Sequence, residues 1–272
     1  MNRILKKLEL APEVKLFEIN SPLIARKTLP GQFVVVRICE EGERIPLTIA
    51  DTKEDTIVLV VQEVGKTTKH MGTLEEGYEL SDVIGPLGNP THIEKLGTVV
   101  CVGGGIGIAP IYPITKAMKN IGNKVISIIG ARSKDLLIFE EKMKKVSDEL
   151  YITTDDGSYG RKGFVTDELK GLIDEGRNID FVMAIGPVVM MYAVAEVTRP
   201  HNINTMVSLN PIMVDGTGMC GACRVEVGGK TRFTCVDGPD FDAHQVDFKL
   251  LMDRQRIYLK QEEESMRLFK RH

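Results

Sequence analysis

Asp215, Cys220, Cys223 and Cys235 are the residues whose types and spacing could do chemistry. Three of the five cysteines fall between positions 220 and 235, and the four side chains are separated by four, two and eleven residues. Plant-type [2Fe–2S] proteins hold their cluster with C-x4-C-x2-C…C, so an aspartate stands where the first thiolate is expected. Gly216, Gly218 and Gly221 let the loop fold tightly and turn backbone N–H groups toward sulfur. Residues 224–227 and 231–236 read as two short strands about the Gly228-Gly229 turn, a hairpin that returns Cys235 to the loop. A Cys3Asp set could also hold zinc tetrahedrally. Zinc sites usually pair two C-x2-C knuckles, however, and only one is present, which favours iron–sulfur and single-electron chemistry.

A second pattern, GGGIGIAP at 103–110, follows an apolar strand at 98–102. Gly103, Gly104, Gly105 and Gly107 would let the backbone approach a pyrophosphate. Pro110 is expected at the start of a helix whose N-terminus supplies N–H groups and partial positive charge. The sixth position is proline, so this is not the GxGxxG fingerprint, and a packing-only turn is the alternative. Ligands of parallel sheets bind beyond the carboxyl ends of the strands. Three further strand ends carry Gly130-Ala131-Arg132-Ser133, Asp155-Asp156-Gly157-Ser158 and Gly186-Pro187 with Met190 nearby. Asp155 and Asp156 would receive ribose hydroxyls and repel a 2′-phosphate, or form a solvated turn. Arg132 pulls the other way, and the balance points to NAD(H) over its phosphorylated form.

Two stretches near the N-terminus also stand out, Arg44-Ile45-Pro46-Leu47-Thr48 and Gly65-Lys66-Thr67-Thr68. The second has the makings of an anion-binding turn at a helix start. Taken alone, each is more often just a strand and a cap. Hydrolytic chemistry finds no support. The histidines at 70, 92, 201, 244 and 272 lack paired metal spacing, and the residues around Ser158 lack a nucleophile elbow.

The elements that must position these residues change texture along the chain. Runs at 14–19, 32–38, 45–50 and 56–63 are β-branched and separated by turn residues, which predicts a small antiparallel barrel. The segment 85–90 looks like a boundary. Strands then alternate with helices: strands at 98–102, 124–129, 150–154 and 181–185, and helices at 111–120, 136–145, from 163, and at 189–197. Such alternation predicts a parallel sheet with helices on both faces. The cluster loop follows, and a tail at 246–269 carries apolar positions at helical spacing, suited to solvent or to docking a partner. The expected divisions are 1–95, 96–206, 207–245 and 246–272.

A chain of 272 residues with 43% hydrophobic and 27% charged residues belongs with globular proteins and has room for two cores. A net charge of −3 offers nucleic acid or anionic membrane no general attraction. The most apolar run, 98–114, holds four glycines and two prolines and reads as strand and loop rather than membrane span. The N-terminus lacks an uninterrupted apolar signal segment. Cys39 and Cys101 read as buried thiols inside strands, and the odd cysteine count argues against a disulfide framework, so a cytoplasmic setting is expected.

In this order of motifs, the chain resembles the ferredoxin–NADP-reductase-like flavoproteins, specifically electron-transfer subunits such as the accessory subunit of dihydroorotate dehydrogenase. The resemblance spans essentially the whole chain. It implies FAD in the barrel, NAD(H) in the parallel domain and a [2Fe–2S] cluster in the hairpin module. Pro46, Leu47 and Thr48 match the strand beside the isoalloxazine, with the Thr48 hydroxyl close to the reactive flavin nitrogen. Val61 and Gln62 match a second strand near the flavin, and Gly65, Thr67 and Thr68 match the pyrophosphate turn. Gly103, Gly104, Gly105 and Gly107 match the nicotinamide-nucleotide loop, and Cys220, Cys223 and Cys235 match cluster ligands. The family usually has an arginine three positions before the Thr48 equivalent; here that position is Ile45, and Arg44 stands one place earlier.

Asp215 in place of cysteine is similar to the small subunits of NADH-dependent reduced ferredoxin:NADP oxidoreductases, also described as sulfide dehydrogenase subunits. There one Asp and three Cys hold the cluster, whereas the dihydroorotate dehydrogenase subunit uses four cysteines. The resemblance therefore implies a subunit of an electron-bifurcating transhydrogenase, passing electrons to a larger flavin and iron–sulfur subunit, without an acid–base side chain in the hydride step. The alternatives are coupling to dihydroorotate oxidation, or a zinc-bearing regulatory nucleotide-binding protein.

Overall fold

The structure, a computed structural model, describes residues 2–269, so His272 and the end of the tail lie outside the described residues. The chain opens with β1 (Ile4–Ala11), β2 (Val14–Asn20), a one-turn helix α1 (Pro22–Ala25), β3 (Phe33–Arg37), β4 (Arg44–Lys53), β5 (Thr56–Gln62), α2 (Lys66–Thr73) and β6 (Asp82–Leu87). The six strands pair antiparallel in the order β1-β2-β5-β4-β3-β6. Hydrogen bonds close the two edges: the Ile4 N–H donates to the Tyr78 carbonyl at 2.9 Å, and the Gly77 and Leu80 N–H groups donate to the carbonyls of Ile4 and Asn2. The expected barrel forms. Alternate residues fill it, among them Phe17, Ile19, Val34, Val36, Ile57, Leu59 and Val61.

The second unit contains β7 (Thr98–Gly104), α3 (Ile108–Asn120), β8 (Lys124–Ala131), α4 (Glu140–Val146), β9 (Glu149–Thr154), β10 (Arg161–Lys162), α5 (Val165–Asp174), β11 (Phe181–Ile185), α6 (Val188–Thr198) and β12 (Asn204–Ser208). A hairpin follows, β13 (Arg224–Val227) and β14 (Lys230–Phe233), then α7 (Thr234–Asp237), β15 (Asp240–Asp242), α8 (Phe248–Gln255) and α9 (Leu259–Phe269). The large sheet runs β10-β9-β8-β7-β11-β12-β15, parallel except for β15. Val100, Val102, Val182 and Ala184 face α5 and α6, whereas Val99, Cys101, Val125 and Met183 face α3 and α4. Strand order reverses at β7, which makes the ends of β7 and β11 the expected place for a crevice.

Five local expectations change. Pro110 is the third residue of α3, because a single 3-10 turn, Gly105–Gly107, runs straight into the helix and starts it at Ile108. Cys39 lies just beyond β3 and is half-buried, since the strand ends at Arg37, while Cys101 is buried as expected. Cys235 sits on α7 rather than on a strand, because the second arm of the hairpin stops at Phe233. The segment at 85–90 is partly strand, as β6 runs through Gly85-Pro86. Two helices rather than one make up the tail.

β5 is apolar on both faces. Its outward residues Val58 and Val60 join Ala11, Val14, Leu16 and Ala50 in one core with Ile108, Ile111, Tyr112 and Ile114 of α3. A register shift between Ile49 and Asp51 turns the Asp51 carboxylate to Lys116 of α3 and Lys142 of α4, at 3.7 Å from each. Barrel and parallel sheet thus share a hydrophobic core. Ile111 is fully buried in it, so Ile111→Ala should cost about 2–5 kcal/mol. Urea unfolding followed by circular dichroism checks the value, and a loss below about 0.5 kcal/mol would show that the shared core holds nothing together.

Candidate functional site

A cavity of about 960 Å³ lies between the barrel and the carboxyl ends of the parallel strands. One wall is the outer face of the barrel, with Phe33, Pro46, Thr48, Val60 and Gln62, and Leu47 borders the cavity although its side chain packs toward the barrel core. The register explains which residues face it. Val36 and Val34 point into the barrel and lie opposite Ile45 and Leu47, so Phe33 and Val35 share the outer face with Thr48 and Pro46. The opposite wall is built from Gly104, Gly105, Gly107, Arg132, Asp155, Gly186, Pro187 and Met190. Ser208, Leu209, Met213 and Pro239 complete the floor beside the cysteine module.

The glycines do different work. Gly103 does not line the cavity; a Cβ there would meet Ile111 at 3.0 Å and the Ile108 backbone at 3.1 Å. At Gly107 a Cβ would stand 2.2 Å from the Ile185 carbonyl oxygen, so this glycine lets α3 close on β11. At Gly105 a Cβ would meet nothing within 4 Å, and φ is +56°. A left-handed glycine facing the cavity, at a strand end that leads into a helix, fits the close approach of a phosphate-bearing ligand.

The remaining expected residues divide. Val61 turns into the barrel core, whereas its neighbour Gln62 reaches the cavity. Gly65, Thr67 and Thr68 lie at the start of α2, outside the cavity lining. The Thr68 hydroxyl accepts from the Val64 and Gly65 N–H groups at 3.0 and 2.9 Å, and the Thr67 hydroxyl donates to Glu43. A Cβ at Gly65 would again meet open space. Asp155 and Asp156 separate: Asp155 lines the cavity, while Asp156 accepts the Ser158 N–H at 2.9 Å, and the Ser158 hydrogen bonds hold its carboxyl below the usual range.

In the cysteine module, the sulfurs of Cys223 and Cys235 lie 3.3 Å apart and both residues are buried. Burial, with the neighbouring Cys223, pushes the Cys235 thiol up to about 12. Two sealed thiols so close cannot both ionise unless a cation compensates them, which fits metal ligands. Cys220 is exposed on the same loop. The Asp215 carboxylate accepts from the Thr217 hydroxyl and from its N–H at 3.2 Å. The Thr217 hydroxyl is the main cause holding this carboxyl below its ordinary range, and the charge of Arg44 adds to it. Among the described residues, no three His, Cys, Asp or Glu side chains converge in metal-binding geometry. Two of the four expected donors face each other, and the other two belong to the same glycine-rich loop. Gly216 (φ +80°) lets this loop press on the barrel, since a Cβ would stand 2.9 Å from Val35 and 3.0 Å from Leu87. Helix α8 ties it down through Arg254 to the Ala222 carbonyl at 3.2 Å and Gln255 to the Asn210 carbonyl at 2.9 Å.

Reading by motif missed Phe33, Met213 and Pro239. Phe33 and Val35 pack against Met213, Cys223 and Cys235, so the ring that lines the cavity also touches the thiol core. No spacing signals such a contact; only its pairing opposite Thr48 hints at it.

Comparison with known proteins agrees with this geometry. Residues 210–247 match the iron–sulfur cluster binding domain of dihydroorotate dehydrogenase B, and residues 101–196 match the oxidoreductase NAD-binding domain. The chain is 50% identical to a Thermotoga maritima dihydroorotate dehydrogenase B (NAD(+)) electron transfer subunit homolog, covering 99% of this chain and 95% of that protein. It is 34% identical to the corresponding electron transfer subunit of Fusobacterium nucleatum, covering 89% and 96%. A solved structure of the NADH-dependent reduced ferredoxin-NADP oxidoreductase, described for flavin-based electron bifurcation, superimposes with a TM-score of 0.94 at 49% identity, covering 99% of this chain and 98% of that one.

The two glycines of the β7 turn should respond differently to the same methyl group. Gly107→Ala drives a Cβ into the Ile185 backbone and should cost about 1–3 kcal/mol or more. Gly105→Ala carries only the left-handed backbone penalty of about 1–2 kcal/mol, and should weaken nicotinamide nucleotide binding beyond that. Thermal unfolding of both variants and an NADH titration of Gly105→Ala measure the contrast. Unaltered NADH affinity would reduce the Gly105 turn to packing.

Proposed function

Because the chain belongs to the family of dihydroorotate dehydrogenase B electron transfer subunits, we propose that it passes electrons between NAD(H), FAD and a [2Fe–2S] cluster and hands them to a larger flavin and iron–sulfur subunit. The complex we have in mind is an electron-bifurcating NADH/ferredoxin:NADP transhydrogenase. The observation that carries the reading is Phe33, which lines the cavity and packs on Cys223 and Cys235. A redox ligand in the cavity and a cluster on those thiols would be separated by one layer of side chains.

A flavin bound against this wall would supply the exchange between a two-electron hydride donor and a one-electron cluster. This chain's part is to bind, orient and exclude water. Pro46 and Val60 present an apolar wall for a planar ring, beside Leu47 whose side chain turns to the barrel core, and Thr48 and Gln62 are the polar groups set into it. Gly65, Thr67 and Thr68 hold the pyrophosphate at the start of α2, where backbone N–H groups and the helix dipole favour an anion. Gly104, Gly105 and Gly107 bring backbone to the nicotinamide nucleotide, Asp155 takes a ribose hydroxyl, and Gly186 and Pro187 shape the far wall. Asp215, Cys220, Cys223 and Cys235 hold the iron. The hydride step itself needs no acid or base from the chain.

Asp215 favours the transhydrogenase over dihydroorotate oxidation, since it stands in the position of a fourth cysteine. Arg44, exposed at the start of β4, adds its charge beside Asp215 rather than taking the place of an arginine at 45, which would point into the barrel. Free thiols and a reducible cluster suit the cytoplasm, and among the described residues no helix is long and apolar enough to cross a membrane.

An ultraviolet–visible spectrum with iron, sulfide and flavin analysis tests the cofactor set: a colourless protein containing zinc would sink it. Co-purification tests the partner. A larger subunit that reduces NADP supports the reading, and one that oxidises dihydroorotate overturns it in favour of the alternative. Cys220→Ser should lose iron and sulfide while retaining flavin. Asp215→Cys should keep a [2Fe–2S] cluster at a shifted reduction potential, because oxygen is a harder and less covalent donor than sulfur. Redox titration by electron paramagnetic resonance reads both, and identical potential and g-values in Asp215→Cys remove it from the ligand set.

A further inference from the structure

We propose that Asp240 is a proton-binding site coupled to the charge held in the cavity, taking up a proton when a hydride arrives there and releasing it when the electrons leave. Asp240 opens β15 and lies opposite Ser208 of β12. Ser208 and Pro239 both line the cavity, so the carboxyl sits directly behind the wall. Its Oδ2 accepts from the Thr91 hydroxyl at 2.6 Å. Thr91 is itself clamped, its N–H donating to the Pro30 carbonyl at 2.9 Å and its hydroxyl packed on Gly31. Although the residue as a whole keeps some exposed surface, Oδ1 is sealed from solvent and makes no hydrogen bond of good geometry, the Ser208 hydroxyl exerting only a lesser pull on the carboxyl than that of Thr91. An ionised carboxyl with one bare, buried oxygen is costly, whereas the neutral acid is not.

The charged and titratable groups on the surrounding elements turn elsewhere. His92 next to Thr91 faces Glu94, Asp237 of α7 accepts the Phe233 N–H, and Asp242 of β15 accepts from the His244 N–H and from Gln245. The Cys235 thiol of α7 meets Cys223. Among the described residues no charged group offsets the burial, which pushes the Asp240 carboxyl up to about 6 against the opposing hydroxyls of Thr91 and Ser208. Its proton occupancy is therefore set by the field from the cavity. A unit negative charge on the order of 10 Å away, at an effective dielectric of about 20, raises a carboxyl's proton affinity about tenfold. Near neutral pH that moves Asp240 from mostly ionised to substantially protonated.

The balance closes. A hydride carries two electrons and a proton; once the nicotinamide that gave it departs in its oxidised, more positive form, one extra negative charge stays in the cavity, and one proton from water bound at Asp240 cancels it. When both electrons leave the cavity singly on their way to the partner subunit, the hydride's proton and that of Asp240 return to water. The inference rests on a hydride-accepting flavin in the cavity.

Electrochemical infrared difference spectroscopy of the holoprotein at pH 7 tests it without using the nucleotide site. A protonated-carboxyl band should appear on reduction in the parent and be missing in Asp240→Asn. Thr91→Val, which removes a donor to the carboxylate, should retain the band and shift its midpoint to higher pH. Identical difference spectra in parent and Asp240→Asn overturn the assignment. If the electrode produces the band but NADH fails to bleach the flavin, the nucleotide reading fails and the Asp240 assignment stands. A further measurement needs no cofactor. The folded-state pKa is raised, so the stabilisation contributed by this group is complete below about 4 and is lost as pH rises through about 6. Denaturant unfolding of the parent should show that loss relative to Asp240→Asn, and parallel pH profiles would count against a buried titrating carboxyl.

Discussion

The molecule depends on β5 being apolar on both faces. Ile57, Leu59 and Val61 fill the barrel, while Val58 and Val60 leave it to pack on α3. Apolar burial is non-directional, but placed on both sides of one strand it fixes the distance and angle between two domains. A linker alone would leave them free to move, as domains with polar interfaces do. The Asp51 pairs with Lys116 and Lys142 at the rim of this contact add direction more than energy. The cavity is a consequence: its walls belong to different domains, and it keeps its shape because the shared core does.

Three kinds of backbone economy then converge on that space. The turn after β7 uses Gly107 to let a helix close on β11 and Gly105 to leave the cavity side clear. Strand order reverses at β7, so neighbouring connections leave in opposite directions and open a crevice at its carboxyl end. On the barrel side, the pleat places Phe33, Pro46 and Thr48 on the outer face. That same face receives the cysteine loop, which approaches closely because Gly216 carries no side chain. Phe33 of β3 thus lines the cavity on one side and packs on the thiols on the other.

Charge around the cavity is sparse. Arg132 and Asp155 are the ionisable groups lining it. Behind the wall lies Asp240, and beside the barrel strand Asp215 stands near Arg44. A site that gains and loses electrons in a low-dielectric setting is sensitive to every such group, because little water remains to screen it. β15, three residues long, matters for that reason: it is the element that brings a carboxyl from the cysteine module into the nucleotide sheet.

Much of the fold was visible in local pattern. The β-branched runs of β2 to β5, the apolar runs of β7 and β11 and the helices between parallel strands follow from composition and periods that neighbours along the chain express. Besides β10 and β12, three strands went unread for local reasons. β1 is an edge strand that exposes Lys6 and Glu9, β6 carries Gly85-Pro86 inside it, and β15 is too short to show a period. The donor spacing of Asp215, Cys220, Cys223 and Cys235 and the glycines of the β7 turn are likewise sequence properties, since a loop's chemistry lies in its own residues. Tertiary structure alone decided the rest. That Phe33 belongs to the site, that Val61 does not face it, and that Asp240 is sealed with one oxygen bare all depend on burial. Burial is created jointly by segments far apart in sequence, and no single segment contains it.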